Sequence, residues 1–217
     1  MRCIVTAGPT FEPLDEARRL TNFSTGRLGT ELAAHLHAQG HEVILLLGAQ
    51  AVFPGERRAN RVESFTTTRS LIERFESFAS PEIDAVFHAA AVSDFAFGQV
   101  WERGSGGELV PVRSGKYSTR RGALLAELLP TPKVIYRLRG WFSNAVLVGW
   151  KYEVEGDQSS VVQIALEQLR QNRTQACVVN GSAYGPGFGL VIEGQAVRHL
   201  CDHQALFQAL ESLLTCS

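Results

Sequence analysis

The sequence predicts an α/β fold of the Rossmann-like kind, a largely parallel sheet with helices on both faces, plus a long flap and a late β-hairpin. Three features point that way. Short aliphatic runs alternate with stretches whose apolar residues recur every three or four positions; the first run opens into a Gly-Pro loop; and a glycine-bearing helix start follows it. A chain of 217 residues with 45% hydrophobic and 20% charged residues can bury one core around such a sheet, so a single domain over residues 1–217 is expected.

Taken in order, Cys3-Ile4-Val5-Thr6-Ala7 is an apolar run ended by Gly8-Pro9, a buried strand opening into a loop. Leu28, Leu32 and Leu36 recur every four residues with Ala33 beside them, and Gly40 follows, which predicts a helix from Gly26 to Gln39. The second strand is Val43 to Leu47. A helical stretch near Leu71 to Phe78 leads to a third at Ala85 to Ala91, and further strands fall at Ala145 to Trp150 and Ala176 to Val179. Apolar spacing places helices at Val161 to Arg170 and Ala205 to Leu214, the latter with Asp202 as its cap. Phe188 to Ile192 and Gln195 to His199, split by Glu193-Gly194, read as the hairpin. The stretch 95–122, with Gly98, Gly104, Gly106, Gly107 and Gly115, is too long for a simple connector and reads as a flexible flap.

Several function classes are excluded by composition. No apolar run approaches the roughly 20 residues that cross a bilayer, and the N-terminus lacks the pattern of a secretory signal, so no membrane role and a cytoplasmic location are expected. A net charge of −1 does not suit a protein that coats nucleic acid. Cys3, Cys177, Cys201 and Cys216 are scattered and read as reduced thiols. His35, His37 and His41 suggest metal at first sight, but side chains two apart on a helix point to nearly opposite sides, so no metal site is expected.

A strand ending at Gly8-Pro9-Thr10 on a sheet's carboxyl edge invites a nucleotide, because free N–H groups at a helix N-terminus attract phosphate. Ser24-Thr25-Gly26-Arg27-Leu28-Gly29 opens the following helix, with Ser24 or Thr25 expected to cap it and to contact phosphate. The dinucleotide fingerprint is nevertheless broken, since Thr10 to Phe23 intervene. The second strand runs into Gly48-Ala49-Gln50, without the acid that holds an NAD ribose, and none of Tyr117, Tyr136, Tyr152 or Tyr184 has Lys four residues on. An NAD(P)-dependent reductase is thereby disfavoured.

Thr6-Ala7-Gly8-Pro9-Thr10, Glu12-Pro13-Leu14-Asp15 and Arg18-Arg19-Leu20-Thr21-Asn22-Phe23-Ser24-Thr25-Gly26 together resemble the start of the phosphopantothenoylcysteine synthetase family. Ala90-Ala91-Val92-Ser93-Asp94-Phe95 and Lys116-Tyr117-Ser118-Thr119 are similar to later family motifs, the second to its flap motif. Thr131-Pro132-Lys133-Val134-Ile135, Gly149-Trp150-Lys151-Tyr152-Glu153 and Val179-Asn180 extend the resemblance over nearly the whole chain. The resemblance implies a homodimeric ligase of coenzyme A biosynthesis that joins 4′-phosphopantothenate to cysteine through an acyl nucleotide formed from CTP or ATP with Mg²⁺. The chain starts at the synthetase domain's first strand, so no flavin is expected.

Neither implied step needs a protein nucleophile; both need aligned anions and neutralised charge. The resemblance makes Lys116 a clamp over the triphosphate, Asn22 the amide that acts on the acyl nucleotide, and Arg18 a ligand for the substrate phosphate. Asp94 would hold the ribose and Ala90 and Ala91 the base, with Lys151 touching phosphate and Gly8, Ser24, Thr25, Gly26 and Asn180 completing the nucleotide site. The plainer readings are a solvated lysine for Lys116 or Lys151, a turn residue for Asn22 and a helix cap for Asp94. Trp150, Tyr117, Gly181 and Gly185-Pro186-Gly187 depart from the family pattern. Gly181 and the glycine-rich tail motivate a second reading, a nucleotide-binding regulatory module that has lost ligation.

Overall fold

A computed structural model describes residues 1–118, 120 and 122–215; Thr119 of the flap motif, Arg121, Cys216 and Ser217 lie outside the described residues. Strand β1 (Arg2–Ala7) is buried from Cys3 onward, as its unbroken apolar run requires. A short hairpin, β2 (Phe11–Pro13) and β3 (Arg19–Thr21), precedes helix α1 (Arg27–Ala38). Next come β4 (Glu42–Gly48), β5 (Arg61–Phe65), α2 (Thr68–Ser77) and β6 (Ala85–His88). Three strands follow, β7 (Phe95–Arg103), β8 (Leu109–Val112) and β9 (Leu124–Pro130), and then α3 (Ile135–Trp141). The chain continues through β10 (Val146–Tyr152), α4 (Gln158–Asn172), β11 (Ala176–Asn180), β12 (Phe188–Val191), β13 (Arg198–Leu200) and α5 (His203–Thr215).

The main sheet has the order β13-β12-β11-β10-β6-β1-β4-β5. Its strands from β5 to β11 pair in parallel, whereas β12 and β13 are antiparallel. Counted along the chain, the parallel strands follow the order of the doubly wound dinucleotide fold, which reverses between β1 and β6. Ligands of such sheets bind outside the carboxyl ends of the strands at that reversal.

Both faces are covered, as the alternation of strands and helices predicts. Leu32, Ala33 and Leu36 of α1 and Leu206, Ala209 and Leu210 of α5 pack on Cys3, Val5 and Ala7 and their neighbours. Leu71 and Phe75 of α2, Leu138 of α3 and nearby Phe142 cover the opposite face around Ile4, Val86 and Leu147. Helix α4 starts three residues before its predicted first residue: Asp157 accepts the Ser160 N–H at 2.8 Å while Ser160 Oγ takes the Asp157 N–H, a capping box. Asp202 caps α5 as expected, accepting the Ala205 N–H at 2.8 Å.

One local expectation is corrected and another gains detail. The strand expected at Ala85 to Ala91 ends at His88, because Ala89 folds back to the Phe87 carbonyl; only Ala91 rejoins, through a bridge to Pro9. The glycine-rich stretch after Phe95 carries paired strands, with β7 central in a sheet of order β8-β7-β9 and a register shift between Phe97 and Val100, where Gly98 lies.

Two helical glycines make the packing testable. A Cβ on Gly29 would lie 2.6 Å from the Thr6 carbonyl oxygen and 2.7 Å from the Ala7 Cβ, whereas one on Gly140 would meet nothing within 4 Å. Urea denaturation should therefore show Gly29→Ala destabilised by about 1–3 kcal/mol through overpacking, and Gly140→Ala stabilised by about 0.5–1 kcal/mol. Equal effects of the two would mean that α1 does not rest on β1 as closely as described.

Candidate active site

At the carboxyl edge β1 ends in Gly8, at φ 82°, and α1 begins behind Gly26, also at φ 82°. Both conformations lie in the left-handed region where glycine alone is unstrained. Space is as restrictive as angle: a Cβ on Gly26 would come within 2.9 Å of the Ala51 Cβ and 3.3 Å of the Gly8 Cα. Gly8, Gly26 and Gly29 thus fill in space the roles that the three fingerprint glycines fill in sequence, namely a tight turn, a close backbone approach and close helix–strand packing. The residues between the first two fold out as the β2–β3 hairpin.

The expected cap by Ser24 or Thr25 is corrected. Gly26 occupies the N-cap position without a side-chain bond; Thr25 Oγ1 only meets the Arg27 N–H at 3.3 Å, and Ser24 turns its own N–H to the Asn22 carbonyl at 2.9 Å. A left-handed glycine has no side chain to cap with, so the first-turn N–H groups of α1 face the edge with little competition. Beside them, Asn22 Nδ2 donates to the Ala91 carbonyl at 3.2 Å, and the Ala91 N–H donates to the Gly8 carbonyl at 3.0 Å. Gly8, Asn22, Gly26 and Ala91 are therefore brought together.

A cleft of about 340 Å³ adjoins this point, between α3, α4 and the carboxyl ends of β6 and β10. Ala90, Asp94 and Lys151 line it with His88, Lys133 and Gln168. Asp94 is paired with Lys133, a residue that sequence reasoning missed although it lies within a motif the resemblance covers. Lys151 Nζ stands 4.0 Å from Glu153 Oε1. Asn180 lies apart from these, in a separate groove with Arg27 and His203.

Arg18 meets the segment that carries Lys116 at the hairpin tip. Arg18 donates from Nε and Nη2 to Asp15 Oδ2, at 3.0 and 2.5 Å, and from Nη2 to the Tyr117 carbonyl at 2.6 Å. The same Asp15 oxygen accepts the Tyr117 N–H at 3.1 Å. Hydrogen bonding from Arg18 holds the Asp15 carboxyl well below the usual carboxylate range. This pair tethers the segment carrying the exposed Lys116 to the hairpin that carries Asn22.

Residues 1–206 match the family model described as the DNA/pantothenate metabolism flavoprotein C-terminal domain. The chain belongs to this family. A relative named Coenzyme A biosynthesis bifunctional protein CoaBC, from Thermococcus kodakarensis, is 32% identical over 180 residues, covering 82% of this chain and 41% of the relative. The chain thus spans less than half the length of that relative. Among solved structures, the DNA/pantothenate metabolism flavoprotein from Streptococcus pneumoniae shares the fold with a TM-score of 0.85 at 22% identity, covering 100% of this chain and 99% of that one. A Cab2 variant in complex with phosphopantothenate-cysteine superposes with a TM-score of 0.71 at 19% identity, over 99% of this chain and 87% of that one.

The family assignment gives the departure at Gly181 a structural cause. Gly181 sits at φ 113°, and a Cβ there would lie 2.2 Å from the Glu153 carbonyl oxygen. Glu153 and Ala183 bond across this same approach, from the Glu153 N–H to the Asn180 carbonyl at 3.0 Å and from the Ala183 N–H to the Glu153 carbonyl at 3.2 Å. The glycine is needed for this chain's own backbone packing and does not by itself signal lost function.

His88 makes the cleft sensitive to acid. Burial pushes its imidazole down to about 4 from an ordinary 6.5. Below the ordinary value the unfolded chain takes up a proton that the folded chain refuses, so this contribution is complete above pH 6.5 and drains as the pH falls toward 4. Denaturation free energies measured at pH 7 and pH 4.5 should show the native chain losing about 2 kcal/mol more than His88→Phe between the two. Asp15 contributes only below its ordinary value of 3.8 and does not enter this window. Parallel pH profiles would contradict a neutral buried His88.

Proposed function

We propose that this chain is a phosphopantothenate–cysteine ligase, acting in coenzyme A biosynthesis with CTP or ATP as the energy source. The observation that carries the reading is the convergence of Asn22, Gly8, Gly26 and Ala91 at the reversal between β1 and β6. Family membership supports it, as do the coenzyme A name of the Thermococcus relative and the phosphopantothenate-cysteine bound to the Cab2 variant.

In this reading the nucleotide's base and sugar occupy the cleft with Asp94 at the ribose, and its phosphates lie toward the α1 N-terminus. A carboxylate oxygen of phosphopantothenate attacks the α-phosphorus and the bond to the β-phosphate oxygen breaks, releasing pyrophosphate. The cysteine amine then attacks the acyl carbonyl, loses a proton and expels the nucleoside monophosphate. Asn22 Nδ2, already at the edge, is placed to turn from the Ala91 carbonyl to the reacting acyl group. Arg18 acts through its Asp15 and Tyr117 bonds to hold the hairpin and the Lys116 segment together, and Lys116 supplies positive charge over the phosphates.

Mg²⁺ would arrive on the triphosphate and offset its charge, which requires few protein ligands. Asp94 would offer such an ion a carboxylate in the cleft. A homodimer would cover the apolar side chains that the small sheet leaves exposed, Phe95, Leu109, Val110, Leu128 and Leu129. No described helix is long and apolar enough to cross a membrane, and a cytoplasmic location belongs to the same proposal.

The test is pyrophosphate release by the purified protein with phosphopantothenate, Mg²⁺ and either nucleotide, with and without cysteine. Release should require phosphopantothenate, and the cysteine adduct should appear when cysteine is present. Lys116→Ala should lower turnover by about 10²–10³, the loss typical of one transition-state donor. Nucleotide binding without any release would instead favour the regulatory-module reading.

A further inference from the structure

The proposed reaction leaves several buried polar side chains of the cleft unused, His88 among them. His88 ends β6, is 7% exposed and lines the cleft. Its Nδ1 lies 2.9 Å from Thr6 Oγ1, and that oxygen accepts the Ala90 N–H at 3.0 Å. Thr6 is fully buried, and among the described residues His88 Nδ1 is the acceptor within reach of its hydroxyl proton. If Nδ1 carried a proton, the hydroxyl would keep an unpaired donor in the core, at a cost of about 1–3 kcal/mol. Nδ1 is therefore the acceptor, and the imidazole's proton resides on Nε2.

The ring is fixed in position as well as in tautomer. Phe75 packs edge-on against it, with ring centroids 5.6 Å apart. Burial keeps the ring uncharged at neutral pH. Its remaining polar group, the Nε2–H, has no partner among the described residues. From α4, Gln168 brings a buried amide to the same cleft, and its only side-chain partner among the described residues is the weak acceptor Cys177 Sγ at 3.4 Å. A Cβ on Gly149 would lie 2.3 Å from Gln168 Nε2, so the bare strand is what admits this amide.

We propose that His88 donates its Nε2–H to an uncharged acceptor on the nucleotide's base, a carbonyl oxygen or ring nitrogen, and thereby contributes to base selection. This rests on the ligase reading of the cleft. An uncharged, orientation-locked donor brings no ionic attraction to a phosphate, and the lysines and first-turn N–H groups already serve the phosphates. A neutral acceptor gains from direction alone, which a fixed imidazole supplies.

The test compares His88→Phe with His88→Gln by equilibrium binding of CTP, ATP and inorganic tripolyphosphate in Mg²⁺. Both variants remove the Thr6 acceptor, so loss common to both reports packing; Gln restores an N–H close to the former Nε2, so their difference reports the donor. His88→Phe should bind the preferred nucleotide about tenfold more weakly, with tripolyphosphate affinity unchanged and His88→Gln recovering most of the loss. Equal weakening in the two variants, unchanged nucleotide affinity in His88→Phe, or an equal loss for tripolyphosphate would each overturn the assignment. Native protein that binds nucleotide but does not ligate would contradict the ligase reading and leave this comparison readable. Native protein that binds neither nucleotide would contradict both.

Discussion

The approach of the Gly26 backbone to Gly8 is the contact on which the rest of the edge depends. A Cβ on Gly26 would lie 2.9 Å from the Ala51 Cβ and 3.3 Å from the Gly8 Cα, at a φ of 82° that strains any other residue, and the bare backbone lets α1 dock head-on against the end of β1. That docking sets Gly29 on Thr6 and Ala7 and forces the residues between the two glycines to leave the sheet as a hairpin. The hairpin is then pinned at two further points. Thr21 Oγ1 donates to the Thr10 carbonyl at 2.9 Å, and Glu12, almost fully buried, accepts the Thr68 N–H at 2.9 Å at the start of α2. Asn22 reaches Ala91 because of this chain of constraints.

Charge around the edge is held in local pairs. Asp15 with Arg18 and Asp94 with Lys133 match two of the cations at this edge within the chain itself. A polyanion bound there, as proposed, would compete with those carboxylates, at a cost in affinity but with the cations already oriented. Lys116 is exposed on the tethered segment, and His88 is kept neutral by burial. The site thus combines matched pairs, an exposed lysine and an uncharged donor, an arrangement consistent with a chain whose net charge is only −1.

The parallel core was legible because strands buried on both faces read as unbroken apolar runs, as β1 and β4 do. Edge strand β5, Arg-Val-Glu-Ser-Phe, buries only its last residue and leaves no such signature. Strands β7 to β9 escaped notice for a related reason: they pair with one another away from the core and expose much of their length. Helix α3 is short and buries only Leu138, too little for a period to show. In the site, Gly8, Asn22 and Ala91 were found through local motifs. The Asp94–Lys133 pair, the Arg18–Tyr117 tether and the Thr6–His88 bond join residues 39 to 99 positions apart in the chain, and no local pattern encodes them.

The central claim is that the reversal between β1 and β6 is where the nucleotide is held and activated. A crystal structure of the protein with CTP or ATP and Mg²⁺ tests it most directly. The account predicts phosphate density against the backbone of Gly8 and Gly26, with base and ribose in the cleft lined by Ala90, Asp94 and His88. Well-ordered nucleotide in the groove of Arg27, Asn180 and His203, with that edge left to solvent, would contradict it.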